Sequence, residues 1–211
     1  MADVTQAAIT LIAHTSMTNA ATRAGLNAVG ADQDIRTYIS GMVYVYHAIV
    51  EAAANDPGID YILQGRWSTG ATSDEDWIDL WTFTTGTTAA VAAVIQTTEA
   101  AAETTIGVES DPTAAFTPGT LVYIDDATAT ADGEWNRVAI SEAGSPPVVT
   151  IVDGLTNAKA ASDNIWTQAE LFVGSVDLSG MSYVRMVVQG SDTTGANTHF
   201  KAHMVAFTDF V

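Results

Sequence analysis

The chain has no cysteine, so disulfides and thiolate metal sites are excluded. Basic residues are scarce too: 7 Lys and Arg stand against 25 Asp and Glu, a formal net charge of −18 over 211 residues. So acidic a surface repels nucleic acid and anionic membrane, which removes both from the expected partners. It favours solubility and complements a basic patch on a protein partner. No apolar run approaches the roughly 18 residues of a membrane span. The N-terminus, MADVTQAAITLIAH, has an acid and no Lys or Arg before its apolar part, unlike the basic start of a secretory signal. The expectation is a soluble protein made in the cytoplasm. A long-lived extracellular protein without disulfides draws its stability from packing or assembly instead.

Hydrophobic residues make up 47% of the chain, enough for a substantial core. The 35 Ala and 29 Thr pull towards helix and strand respectively, and pattern decides between them. Residues 41–50 (GMVYVYHAIV) read as a central strand with both faces largely apolar. Residues 60–67 (DYILQGRW) and 77–84 (WIDLWTFT) read as two strands of a hairpin, joined through Gly70 and the acid run Asp74, Glu75, Asp76. Residues 183–189 (YVRMVVQ) and 199–207 (HFKAHMVAF) are a further pair, separated by the turn-forming GSDTTGAN. In the last of these Phe200, Ala202, Met204 and Ala206 form an apolar face, and the other face is mixed.

Between these halves, residues 104–166 alternate short apolar runs (121–124, 138–140, 148–152) with turns rich in Gly, Pro, Asp and Asn. That is the pattern of a small barrel or sandwich of short strands. The Ala/Thr-rich stretch 86–103 is read as its way in, as helix, loose strand or linker, and 164–170 as its way out. The expectation is an all-β chain: a jelly-roll-like β-sandwich body from residues 1–86 plus 167–211, with a small inserted β-barrel domain at 87–166. Residues 5–24 show some helical spacing (Ala8, Ile9, Ile12, Ala13) among several Thr and are left open, with an N-terminal arm as one reading. An echo, Ser40-Gly41-Met42-x-Tyr44-Val45 against Ser179-Gly180-Met181-x-Tyr183-Val184, suggests related places in one sandwich, with coincidence as its rival.

Four groups of residues invite a chemical reading. His199 and His203, four apart on a strand, share a face. They are a metal pair or two polar residues on the wet face, and no third ligand stands nearby in sequence; His14 and His47 complete the histidines. Asp125, Asp126, Asp132 and Glu134 surround Gly133 with oxygen ligands, but without the spacing of a D-x-[DN]-x-[DN]-G calcium loop. Twenty-five acids always yield pairs, so glycoside hydrolysis has no specific support, and there is neither a G-x-S-x-G elbow nor a phosphate loop. Trp67, Trp77, Trp81, Trp135 and Trp166 serve either core and interface packing or sugar stacking, and the strand places Trp77 and Trp81 on one face. No catalytic, cofactor-binding or metal residue is assigned, and no cofactor is expected.

FTPGTLVYIDD, then GEWNRV, then TIVDGLTNAKAASDNIW resemble the small β-domains of tailed-bacteriophage virion proteins. The flanks, ILQGRWSTGATSDEDWIDLWTFTTG and FVGSVDLSGMSYVRMVVQGSDTTGANTHFKAHMVAF, resemble phage head-associated proteins, and the resemblance spans roughly residues 58–208. It implies a non-enzymatic capsid cement or decoration protein on the capsid exterior, with the phage major capsid protein as partner and a homo-oligomer, dimer or trimer, as its form. The neighbouring implication is a tail or host-adhesion module that binds glycan through exposed Trp. A virion-associated glycanase is a third reading.

Overall fold

The computed structural model describes residues 5–17, 27–50, 59–67, 77–85, 90–126, 132–167, 169–190 and 198–208, and fifteen β-strands lie within them. In chain order these are β1 (Gln6–Met17), β2 (Asn27–Val29), β3 (Gln33–Asp34), β4 (Ser40–Ile49), β5 (Ile59–Arg66), β6 (Ile78–Thr84), β7 (Ala92–Val94), β8 (Thr105–Gly107), β9 (Leu121–Ile124), β10 (Glu134–Glu142), β11 (Val148–Ile151), β12 (Asn164–Trp166), β13 (Ala169–Asp177), β14 (Tyr183–Gly190) and β15 (Thr198–Phe207). The first sheet has the order β1-β15-β4-β13 and the second β2-β14-β5-β6, with β3 pairing on β14 as well. Setting β3 aside and numbering these eight strands along the chain, the sheets read 1-8-3-6 and 2-7-4-5. That is jelly-roll order: all but one of the connections cross from one sheet to the other, and only β5 to β6 stays within a sheet.

Period-2 alternation drives this packing. Val43 and Val45 of β4 and Phe200, Ala202, Met204 and Ala206 of β15 point inward from the first sheet; Ile59, Tyr61 and Leu63 of β5 and Val184, Met186 and Val188 of β14 meet them from the second. Each fully buried side chain of this size contributes about 1.5–3 kcal/mol. His47 belongs to the same inner face, and its Nδ1 bonds the Tyr61 hydroxyl at 2.8 Å, tying the two sheets together through a buried polar contact.

The third sheet, β7-β12-β9-β10-β11-β8, is drawn from residues between β6 and β13 and has its own core of Ile95, Ile106, Phe116, Val122, Ile124, Val149 and Ile165, among others. Its two outer strands meet. Ile95 bridges Val108, the Gln96 N–H donates to the Gly107 carbonyl at 2.9 Å, and the Glu109 N–H donates to the Val94 carbonyl at 3.0 Å. The sheet therefore curls into a small barrel-like unit whose end strands meet at this bridge.

Three readings left open by the sequence are settled. Residues 6–17 are strand: β1 pairs along β15, with register shifts between Thr10 and Ile12 and between Ile12 and Thr15 that account for the broken period-2 pattern. Residues 18–24 lie outside the described residues. In the 86–103 stretch, the described part holds short β7, the Ile95 bridge and a bridge from Glu99 to Lys159, and no helix. The echo is not symmetry. Gly41 lies inside β4 of the first sheet, whereas Gly180 sits at φ +81° in the turn before β14 of the second.

Candidate functional site

β15 sends His199, Lys201 and His203 to the outer face of the first sheet, opposite Ala48, Tyr46 and Tyr44 of β4. The rings of Tyr44 and His203 stack at 4.9 Å between centroids and 9° between planes, and Tyr46 also stacks with His203, at 5.9 Å and 21°. At its His199 end this face is not wet. The barrel sits there, and Tyr123 of β9 with its cross-strand partner Trp135 of β10 forms the foot.

The contact is polar and closed to solvent. The Tyr123 hydroxyl lies 2.8 Å from His199 Nδ1 and 3.2 Å from His14 Nε2, and the two imidazole nitrogens are 3.4 Å apart. Trp135 Nε1 donates to the His47 carbonyl at 3.1 Å. Tyr123 is fully buried and His199 is 3% exposed. Burial, aided by the charge of His14, pushes His199 down to about 4. Burial, then the charges of Asp125, Asp126 and Glu134, raises the Tyr123 phenol well above its ordinary range. At neutral pH His199 and Tyr123 are therefore both uncharged, and the single Tyr123 hydroxyl proton can be donated to one of the two imidazole nitrogens facing it. Gly133 is required here, because a Cβ at that position would fall 1.9 Å from the Tyr123 hydroxyl.

The metal-pair reading of His199 and His203 separates in space, since one is sealed against Tyr123 and the other stacks with Tyr44 and Tyr46. The plain polar reading also needs correction, because a residue 76 positions away in sequence covers His199. The acids around Gly133 do not form a metal site. Glu134 accepts the Thr156 N–H at 2.9 Å and pairs with Lys159 Nζ at 3.4 Å, and Lys159 also donates to the Asp132 carbonyl. A fully buried ammonium stands where a metal would, and among the described residues no three His, Asp or Glu side chains are grouped to hold one. Sequence reasoning missed Lys159, although it is the one Lys between residues 87 and 166. Asp74, Glu75 and Asp76 lie outside the described residues.

The tryptophans are mostly consumed by packing. Trp166 is buried beside Ala48 and Tyr123. Trp81, half-buried, packs against the main core, its Nε1 against Gly174, where a Cβ would come within 2.2 Å. Trp77 is buried between two guanidinium groups, Arg66 at 4.7 Å and Arg185 at 4.3 Å from the ring. Trp77 and Trp81 do not share a face, because the pairing slips between Leu63 and Gln64 and shifts the parity of β6. Trp67 alone is well exposed, at 58%.

No family model matches the chain, and no curated protein does. Three solved structures show likeness across nearly the whole chain. The SPBc2 prophage-derived protein YomS is 8% identical, with 97% of this chain and 96% of that one covered and a TM-score of 0.31. The infectious bursal disease virus VP2 subviral particle is 10% identical over 97% of this chain and 40% of that one, TM-score 0.23. VP17, a capsid protein of bacteriophage P23-77, is 9% identical over 98% and 97%, TM-score 0.17. At such TM-scores the likenesses decide neither fold nor function. The jelly-roll assignment rests on the strand order.

Proposed function

We propose that the chain is a non-enzymatic structural protein of a tailed-phage virion, a cement or decoration protein that binds the assembled major-capsid shell across capsomer joints. The reading treats residues 1–86 plus 167–211 as the body and 87–166 as an inserted domain, held by the Tyr123–Trp135 foot so that both act as one rigid piece. The fate of the tryptophans carries the choice against its nearest rival. A glycan-binding module needs two or more coplanar rings in an open groove, and four of the five rings are spent in the core, at the junction or between arginines. Jelly rolls host many functions, so the fold supports the proposal without deciding it. A cement protein acts by linkage, binding the assembled shell and not its loose parts. Its contact exceeds about 1,000 Å² or is repeated many times, and a dimer or trimer of this chain provides the repetition.

Co-sedimentation of the purified protein with shells stripped of it tests this. Saturation at a fixed number of copies per capsomer is expected. Absence of binding at micromolar concentration overturns the proposal, and a glycan-array signal abolished by Trp67→Ala moves the protein to the adhesion apparatus.

A further inference from the structure

A groove of about 330 Å³ lies on the outer face of the first sheet, lined by Thr10, Ala13 and His14 of β1, Tyr46 of β4, and Lys201 and His203 of β15, among others. The other cations among the described residues have polar partners: Arg36 pairs with Asp34, Arg66 with Asp32 and Lys159 with Glu134, while Arg185 donates to Gln64 and Arg137 to the Gly119 carbonyl. Lys201 differs from all of them. Its ammonium lies over the rings of Tyr46 at 4.7 Å and Trp135 at 5.0 Å, and among the described residues it has no salt bridge. Glu134 acts on it across the junction but is engaged by Lys159. In a chain with 25 carboxylates, a half-buried ammonium that faces a groove and has no salt-bridge partner among the described residues is a vacant counter-charge.

We propose that this groove binds a carboxylate, presented by an Asp or Glu side chain of a partner protein, with Lys201 as counter-ion and His203 as second donor. One ammonium among imidazoles suits a singly charged anion. A sugar source is disfavoured because the rings lining the groove stack on one another, Tyr44 and Tyr46 each with His203, and do not form a coplanar platform. Burial holds both Lys201 and His203 below their ordinary ranges, and Lys201 lowers His203 further. An incoming carboxylate opposes each of these effects, which provides a readout. The inference does not rest on the capsid reading and is tested without capsids.

The test is an NMR titration of the whole chain with acetate, capped glutamate and glucuronate, with sodium chloride as the ionic-strength control. Saturable shifts at His203 and Tyr46, and an upward move of the His203 midpoint, are expected with acetate and capped glutamate. Lys201→Met weakens binding about ten-fold or more, and Lys201→Arg retains it. Thr10→Glu, on an exposed residue paired with His203, supplies an internal carboxylate and abolishes acetate binding even if Lys201→Met does not fold. Shifts equal to those with chloride, or unchanged in both Lys201→Met and Thr10→Glu, overturn the site. Glucuronate binding ten-fold tighter than capped glutamate overturns the protein source.

Discussion

Acid should loosen the seat of the barrel, and His199 sets the window. Its folded midpoint is held at about 4, against an ordinary value of 6.5. As pH falls through 6.5 the unfolded chain takes up the proton first, so the stabilisation is complete above 6.5 and is lost progressively down to about 4. Between pH 7 and pH 5 the two midpoints give a loss of about 2 kcal/mol, which residual solvent contact trims to about 1–2 kcal/mol. The structural cause is that a protonated His199 places a charge in a buried site and turns Nδ1 from an acceptor into a donor facing the Tyr123 hydroxyl and His14 Nε2. Chemical denaturation of the wild type and His199→Gln at both pH values isolates this group, because the carboxylates are common to both proteins. The wild type should lose about 1–2 kcal/mol more than the variant on going to pH 5. Equal losses, or a His199 resonance titrating near 6.5, would refute the reasoning.

Two further perturbations probe the barrel and its junction. Gly133→Ala forces a methyl group against the buried Tyr123 hydroxyl and is expected to cost about 1–3 kcal/mol in equilibrium unfolding; a neutral result would mean that Tyr123 is not fixed. Lys159→Met removes the cation from a buried pair and leaves Glu134 short of a partner, so unfolding stability should fall by about 3 kcal/mol, with a loss under 1 kcal/mol counting against the buried ion pair.

Much of the fold is legible in the sequence because it is written in local pattern. β9 at 121–124, the alternation of Phe200, Ala202, Met204 and Ala206, and the pairing of β5 with β6 follow from period 2 and the turns between runs. What escapes is non-local or turns on a single residue. The extra residue in β6 reverses the face of Trp77 relative to Trp81, and no local pattern announces it. β1 looks partly helical because Ala and Ile fall at mixed spacing around its bulges. The site is less legible still. His199 reads as a surface residue until Tyr123 arrives from another sheet, and Lys159 becomes a structural cation only when the strands around Gly133 fold over it. Neither partner is near in sequence, so composition and spacing have no access to the contact.

The capsid role is tested most directly by melting shells stripped of the protein, with and without it added back. Cement function predicts a melting temperature that rises with added protein and levels off when the binding sites fill. An unchanged melting temperature at saturating protein would contradict it.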